Sequence, residues 1–114
     1  MDVLEKLKSE YRSSLPQKLD TIRITVAAVT RSLESKAKPD WENLEFIVHK
    51  FAGSSGTYGF KAMSNHAREL EDRIYNKLFA TESATNSKVW LETWLQRLDD
   101  LVEGEIKSAK KKAA

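Results

Sequence analysis

Apolar residues recur along most of the chain at the three-and-four spacing of an α-helix. Leu15, Leu19, Ile22, Val26, Val29 and Leu33 make one stripe on one helix. Ser14 and Gln17 have the spacing of a capping box, and Pro16 falls where a first turn tolerates proline. The pattern therefore predicts a helix start at Ser14, preceded by a short separate helix over residues 1–13 that carries Val3, Leu4, Leu7 and Tyr11. The stretch "SKAKPD" interrupts the period, since Pro39 disfavours helix at Lys38, and Asp40 is placed to cap the next helix. That helix carries Trp41, Leu44, Ile47, Val48 and Phe51. Phe60, Met63, Ala67, Leu70, Ile74 and Leu78 form a further stripe, and "ATESATNS" reads as a polar loop. Trp90, Leu91, Trp94, Leu95, Leu98, Leu101, Val102 and Ile106 complete a last helix, with Gly104 as its weak point.

Nowhere does apolar and polar character alternate in twos, as a half-buried strand requires. Four amphipathic segments with short connections predict an all-α fold, an antiparallel four-helix bundle over residues 14–106 with an additional short N-terminal helix. A chain of 114 residues accommodates one domain of this kind and can bury a core without staples. No cysteine is present, which removes disulfides, thiolate chemistry and Cys-based zinc sites. The charged start lacks a secretory apolar region and no apolar run spans a bilayer, so a cytoplasmic protein without a membrane role is expected.

Charge adds one feature. Of 19 basic residues, four lie in "KSAKKK" at 107–112, leaving 15 basic against 17 acidic residues in the body. A nucleic-acid binder carries its positive charge on a folded face, so a nucleic-acid partner is not expected. Residues 107–114 read instead as a lysine-rich, frayed helix end.

The stretch "HKFAGSSGTYGF" places three glycines within ten residues after a histidine, although each glycine in a helix costs roughly 1 kcal/mol against alanine. At about 100° per residue, His49 falls roughly 140° from the centre of the Trp41–Phe51 stripe and faces solvent. Phe46, Gly53 and Gly56 share that side, so the imidazole is flanked by an aromatic and by backbone bare of side chains. Ser55 projects toward the core, and Gly59 suits a left-handed helix end before Phe60. The spacing G-x-x-G-x-x-G fits neither a P-loop nor a hydrolase elbow. A metal site would need a second ligand at 52 or 53, which are Ala and Gly, or on a facing helix, where His66, the only other histidine, is expected on a solvent-facing flank.

An exposed imidazole is a nucleophile that is largely neutral at physiological pH. Without a base, oxyanion hole or metal beside it, its partner must supply the catalytic groups, which points to a carrier rather than an enzyme.

The segment "HKFAGSSGTYGFKAMSNHARELE" resembles the signature of histidine-containing phosphotransfer (HPt) domains, with His49, Phe51, Gly53, Ser54, Ser55, Gly59, Phe60, Met63, Leu70 and Glu71 in register. "GTYGF" is also similar to the phosphorylated domain of chemotaxis histidine kinases. The resemblance implies that His49 accepts a phosphoryl group on its outer ring nitrogen and passes it on. The implied partners are response-regulator receiver domains and a sensor or hybrid histidine kinase. No cofactor is expected on this chain; Mg²⁺ would sit on the receiver. A monomer is expected, and the alternative is an unphosphorylated adaptor binding through the Phe46, Gly53 and Gly56 face. Candidate partner-binding positions are Phe46, Lys50, Ala52, Gly53, Gly56 and Arg68. Ala52 departs from the family, which places Lys or Arg three residues after the histidine; Lys50 or Arg68 is expected to replace that cation in part.

Overall fold

Three helices begin on a side-chain oxygen that accepts an otherwise unpaired backbone N–H. Asp2 accepts from Glu5 N at 2.7 Å and opens α1 (Val3–Glu34). Asp40 accepts from Asn43 N at 3.0 Å and opens α2 (Trp41–Thr57), as its position predicts. Ser83 accepts from Asn86 N at 3.1 Å and opens α4 (Ala84–Ala113). Between them lies α3 (Lys61–Tyr75), followed by a short 3₁₀ turn (Leu78–Thr81). The computed structural model describes residues 2–113, and the side chains of residues 2–110.

The helices pack in a ring, α1 on α2, α2 on α3, α3 on α4 and α4 on α1. No strand occurs among the described residues. Leu15, Ile22, Leu44, Val48, Met63, Leu70, Leu91, Trp94 and Leu98 fill the centre. The antiparallel four-helix arrangement is the one that the apolar spacing predicts. No helix among the described residues is long and apolar enough to cross a membrane.

Several boundaries differ from the sequence expectation. The separate N-terminal helix does not exist, because α1 runs unbroken through Pro16. Ser14 caps nothing; its hydroxyl donates to the Tyr11 carbonyl at 2.6 Å. Tyr11 stands four residues before Leu15 and continues the same buried stripe. Burying two such side chains is worth about 1.5–3 kcal/mol each, which offsets the roughly 3 kcal/mol cost of an interior proline. The expected polar loop "ATESATNS" is divided between the 3₁₀ turn and the start of α4. Leu78 leaves its stripe because α3 stops at Tyr75, and Phe79 is buried in its place, stacked on Trp41 at 4.4 Å. The lysine-rich segment expected to fray continues as helix to Ala113, and residue 114 lies outside the described residues.

The helix ends also differ in their residues. After α2, Gly59 (φ +85°) makes the expected left-handed reversal, with Phe60 N bonded to Ser55 O at 2.8 Å and Gly59 N to Gly56 O at 3.1 Å. After α1 and α3 the same turn is made by Lys36 (φ 60°) and Lys77 (φ 56°).

Gly104 sits exposed inside α4, and a methyl group there would meet nothing within 4 Å. Gly104→Ala is therefore expected to raise unfolding free energy by about 0.5–1 kcal/mol. Urea denaturation followed by circular dichroism would read this as a higher midpoint with unchanged slope; a lower midpoint would contradict it.

Candidate functional site

Helices α2 and α3 form a hairpin around the Tyr58–Phe60 reversal, so residues equidistant from Phe60 face each other. His49 and Glu71 are such a pair. The His49 side chain is 70% exposed, and its Nδ1 is hydrogen-bonded to Glu71 Oε2. A carboxylate only accepts, so Nδ1 carries the proton and donates it. This fixes the tautomer and leaves the Nε2 lone pair free, with no partner among the described residues. The geometry is that of an oriented nucleophile: one ring nitrogen anchored, the other open to an incoming electrophile.

The surroundings divide the sequence candidates into two groups. Phe46 (60% exposed), Lys50 and Gly53 share the open side of α2 with His49. Nothing lies within 4 Å of where a Gly53 Cβ would stand, so that glycine does clear the surface one turn beyond the imidazole. The Lys50 ammonium lies 5.1 Å over the Phe46 ring and lines a groove of about 430 Å³ between α1 and α2.

The other candidates face α3. Ala52 is 2% exposed and belongs to the core, so it offers no surface to a partner. Its carbonyl accepts from Ser64 Oγ at 2.7 Å. At Gly56 an added Cβ would stand 3.0 Å from Ser64 Oγ, so this glycine serves the close approach of α3 rather than clearing a docking face. Small residues at 52, 56 and 64 bring the two helices together, and that closeness sets Glu71 within reach of His49. Arg68 lies one turn nearer the reversal than the sequence suggests, because the hairpin pivots on Phe60 rather than Tyr58. Its guanidinium is 3.9 Å from the Gly56 Cβ position, and neither Arg68 nor Lys50 is hydrogen-bonded to His49 or Glu71 among the described residues.

His66 does not stand on a solvent-facing flank. It stacks on Trp94 with ring centroids 5.2 Å apart, and its Nε2 donates to the Trp94 carbonyl at 2.8 Å. In return the Trp94 indole N–H donates to the His66 carbonyl at 2.8 Å. Met63 and Leu70, three before and four after, turn this side of α3 toward the interior and α4. The residue without a sequence-assigned role is Glu71. Its distance of 22 positions from His49 is the signal, once the reversal is centred on Phe60.

Tyr11 ties α1 to this hairpin. Its hydroxyl is 2.8 Å from Ser54 Oγ, and its ring stacks on Tyr58 and Phe60 at 4.8 and 5.7 Å. Burial pushes the Tyr11 phenol above its ordinary pKa, keeping it neutral beside Ser54.

A family model described as "Hpt domain" matches residues 6–104. Comparison with curated proteins and with solved structures finds no match. The matched span takes in nearly all of α1, the whole α2–α3 hairpin and most of α4. The chain thus belongs to the Hpt domain family, the phosphocarrier modules that work with histidine kinases and receiver domains in two-component signalling.

Proposed function

We propose that the chain is a phosphorelay intermediate whose acceptor is Nε2 of His49. The single observation that carries this reading is the anchored, outward imidazole, with Nδ1–H bonded to Glu71 and Nε2 free. The Nε2 lone pair attacks the phosphorus of an aspartyl phosphate, or of a kinase-bound phosphoryl donor. The bond from phosphorus to the donor oxygen breaks, and its electron pair stays with the departing oxygen. The ring then bears positive charge, which the Glu71 carboxylate stabilises through the Nδ1 hydrogen bond. Passing the group to a second receiver reverses these steps, with that receiver's aspartate oxygen as nucleophile. Mg²⁺ and the acidic pocket belong to the receiver in this scheme, and Gly53 leaves room for its surface.

The test is incubation with a receiver domain carrying aspartyl phosphate, followed by mapping of transferred label. Acid-labile, alkali-stable phosphate on His49 supports the relay. Binding without transfer supports the alternative adaptor, which the exposure of Phe46 favours; its face would be Phe46 and Gly53, since Gly56 lies under α3.

Glu71→Gln keeps a hydrogen-bond acceptor for Nδ1 but removes the charge, whereas Glu71→Ala removes both. Transfer is expected to slow about tenfold in the first and nearer a hundredfold in the second, the range seen when a partner that orients an imidazole is lost. Melting temperatures should stay close to wild type in both, because the bond that Glu71 makes to His49 is solvent-exposed and Glu71 is not part of the buried core. Equal transfer rates in all three proteins would remove Glu71 from the mechanism.

A further inference from the structure

Helices α1 and α4 outrun the α2–α3 hairpin at one end of the molecule. At 1.5 Å per residue α1 is about 48 Å long and α2 about 26 Å, and the molecule's long dimension is 51 Å. The hairpin's reversal meets α1 at Tyr11, and Arg12 lies level with Glu105 of α4, 4.0 Å away. Beyond that level, α1 and α4 continue as a pair that no third helix covers among the described residues.

The apolar stripe nevertheless goes on. Leu4, Leu7, Tyr11 and Leu15 follow steps of three, four and four, so Leu4 and Leu7 point along the side that Tyr11 and Leu15 bury. Leu4 is 66% and Leu7 41% exposed, with Val3 beside them also exposed. On α4 the buried Val102 is followed in phase by Ile106 and Ala109, both half-buried. The end of the rod is half of a four-helix bundle.

We infer that a second copy of this chain completes it, the two protruding helix pairs interleaving about a twofold axis. This departs from the monomer expected from the sequence. Charge selects the arrangement. The α1 end carries Asp2, Glu5 and Glu10 against Lys6 and Lys8, while α4 beyond Glu105 carries Lys107 and Lys110 and, over residues 106–110, no acid. Packing α4 against the second copy's α4 would set two lysine-rich ends side by side. Packing α1 of one copy against α4 of the other sets acidic residues against those lysines. The twofold makes both contacts at once, since the same patch serves on each copy. His49 lies on α2, outside the joined ends, so both acceptor faces remain open.

The experiment is sedimentation equilibrium of the full chain over a concentration series, at low and high salt. A species of about twice the 13.0 kDa chain mass is expected, weakening as salt rises. Leu7→Glu should weaken association roughly tenfold or more with unchanged helix content, because Leu7 lies outside the core. Glu5→Lys should weaken it too, and Lys110→Glu added to Glu5→Lys should restore it if α1 meets the other copy's α4. A 13.0 kDa species at every concentration overturns the proposal. So does a monomer that floats with vesicles of anionic lipid, which would assign the same apolar and lysine-rich end to a membrane surface. Association insensitive to Leu7→Glu also overturns it, by placing the interface elsewhere. Loss of label transfer with association intact would count against the relay alone, and the reverse against the second copy alone.

Discussion

His49→Gln is expected to lose all acid-labile phosphate while keeping the fold. The side chain is 70% exposed and its one hydrogen bond among the described residues is to Glu71, so its replacement should shift stability by no more than about 0.5 kcal/mol. Glutamine retains polarity and much of the size, but its amide nitrogen's lone pair is delocalised into the carbonyl and does not attack phosphorus. The second histidine offers no bypass, because His66 lies against the Trp94 ring and spends Nε2 on the Trp94 carbonyl. The measurement is label transfer from a phosphorylated receiver, with circular dichroism and receiver binding as controls. Binding should survive, since Phe46 and Gly53 are untouched. Undiminished label in His49→Gln would place the acceptor elsewhere and end the relay mechanism as written.

The second large effect is on stability. Trp94→Ala is expected to cost about 3–5 kcal/mol, a large share of the 5–15 kcal/mol that holds an ordinary domain together. Trp94 is fully buried, and its loss would take away both the stack on His66 and the indole bond to the His66 carbonyl. Those two contacts, with the return bond from His66, clamp α3 to α4. Trp94→Phe keeps most of the volume and removes the bond, so about 1–2 kcal/mol is expected from lost packing and one deleted hydrogen bond. Urea unfolding monitored by circular dichroism would rank the three proteins. A Phe variant as unstable as the Ala variant would show that the bond, not the volume, dominates. Because α3 also carries Glu71, loosening this clamp should reduce phosphoryl transfer before the whole fold is lost.

Most of the architecture was written in the apolar spacing. The stripes from Leu15 to Val29, Leu44 to Phe51 and Met63 to Leu70 are buried as their periods require, and Asp40 and Gly59 mark the two ends of α2. Punctuation residues proved less dependable where tertiary burial opposed them. Pro16 and Ser14 look like a helix start, yet the stripe through Tyr11 and Leu15 is buried as one and carries the helix across them. Lysines at 36 and 77 close helices where no glycine signals an end, because α1 and α3 stop where their stripes leave the core.

The site was half visible. Exposure of His49 follows from the helical wheel alone. Its partner depends on where the hairpin pivots, and a shift of that pivot from Tyr58 to Phe60 exchanges Arg68 for Glu71 opposite the imidazole. Ala52 illustrates a further limit: a position adjoining an exposed face by sequence was buried by how closely α3 approaches, which only the small side chain at Ser64 reveals.

The pairing of His49 with Glu71 also bears on how the molecule folds. The two residues belong to one helical hairpin, joined by a reversal of three residues, so bringing them together closes only a short loop. Contacts of such low sequence separation cost little loop-closure entropy, whereas α1 and α4 must find each other from opposite ends of the chain. His49 and Glu71 thus belong to the two helices that the chain brings together at the lowest loop-closure cost. Loss of the α1–α4 docking would leave that unit the least disturbed.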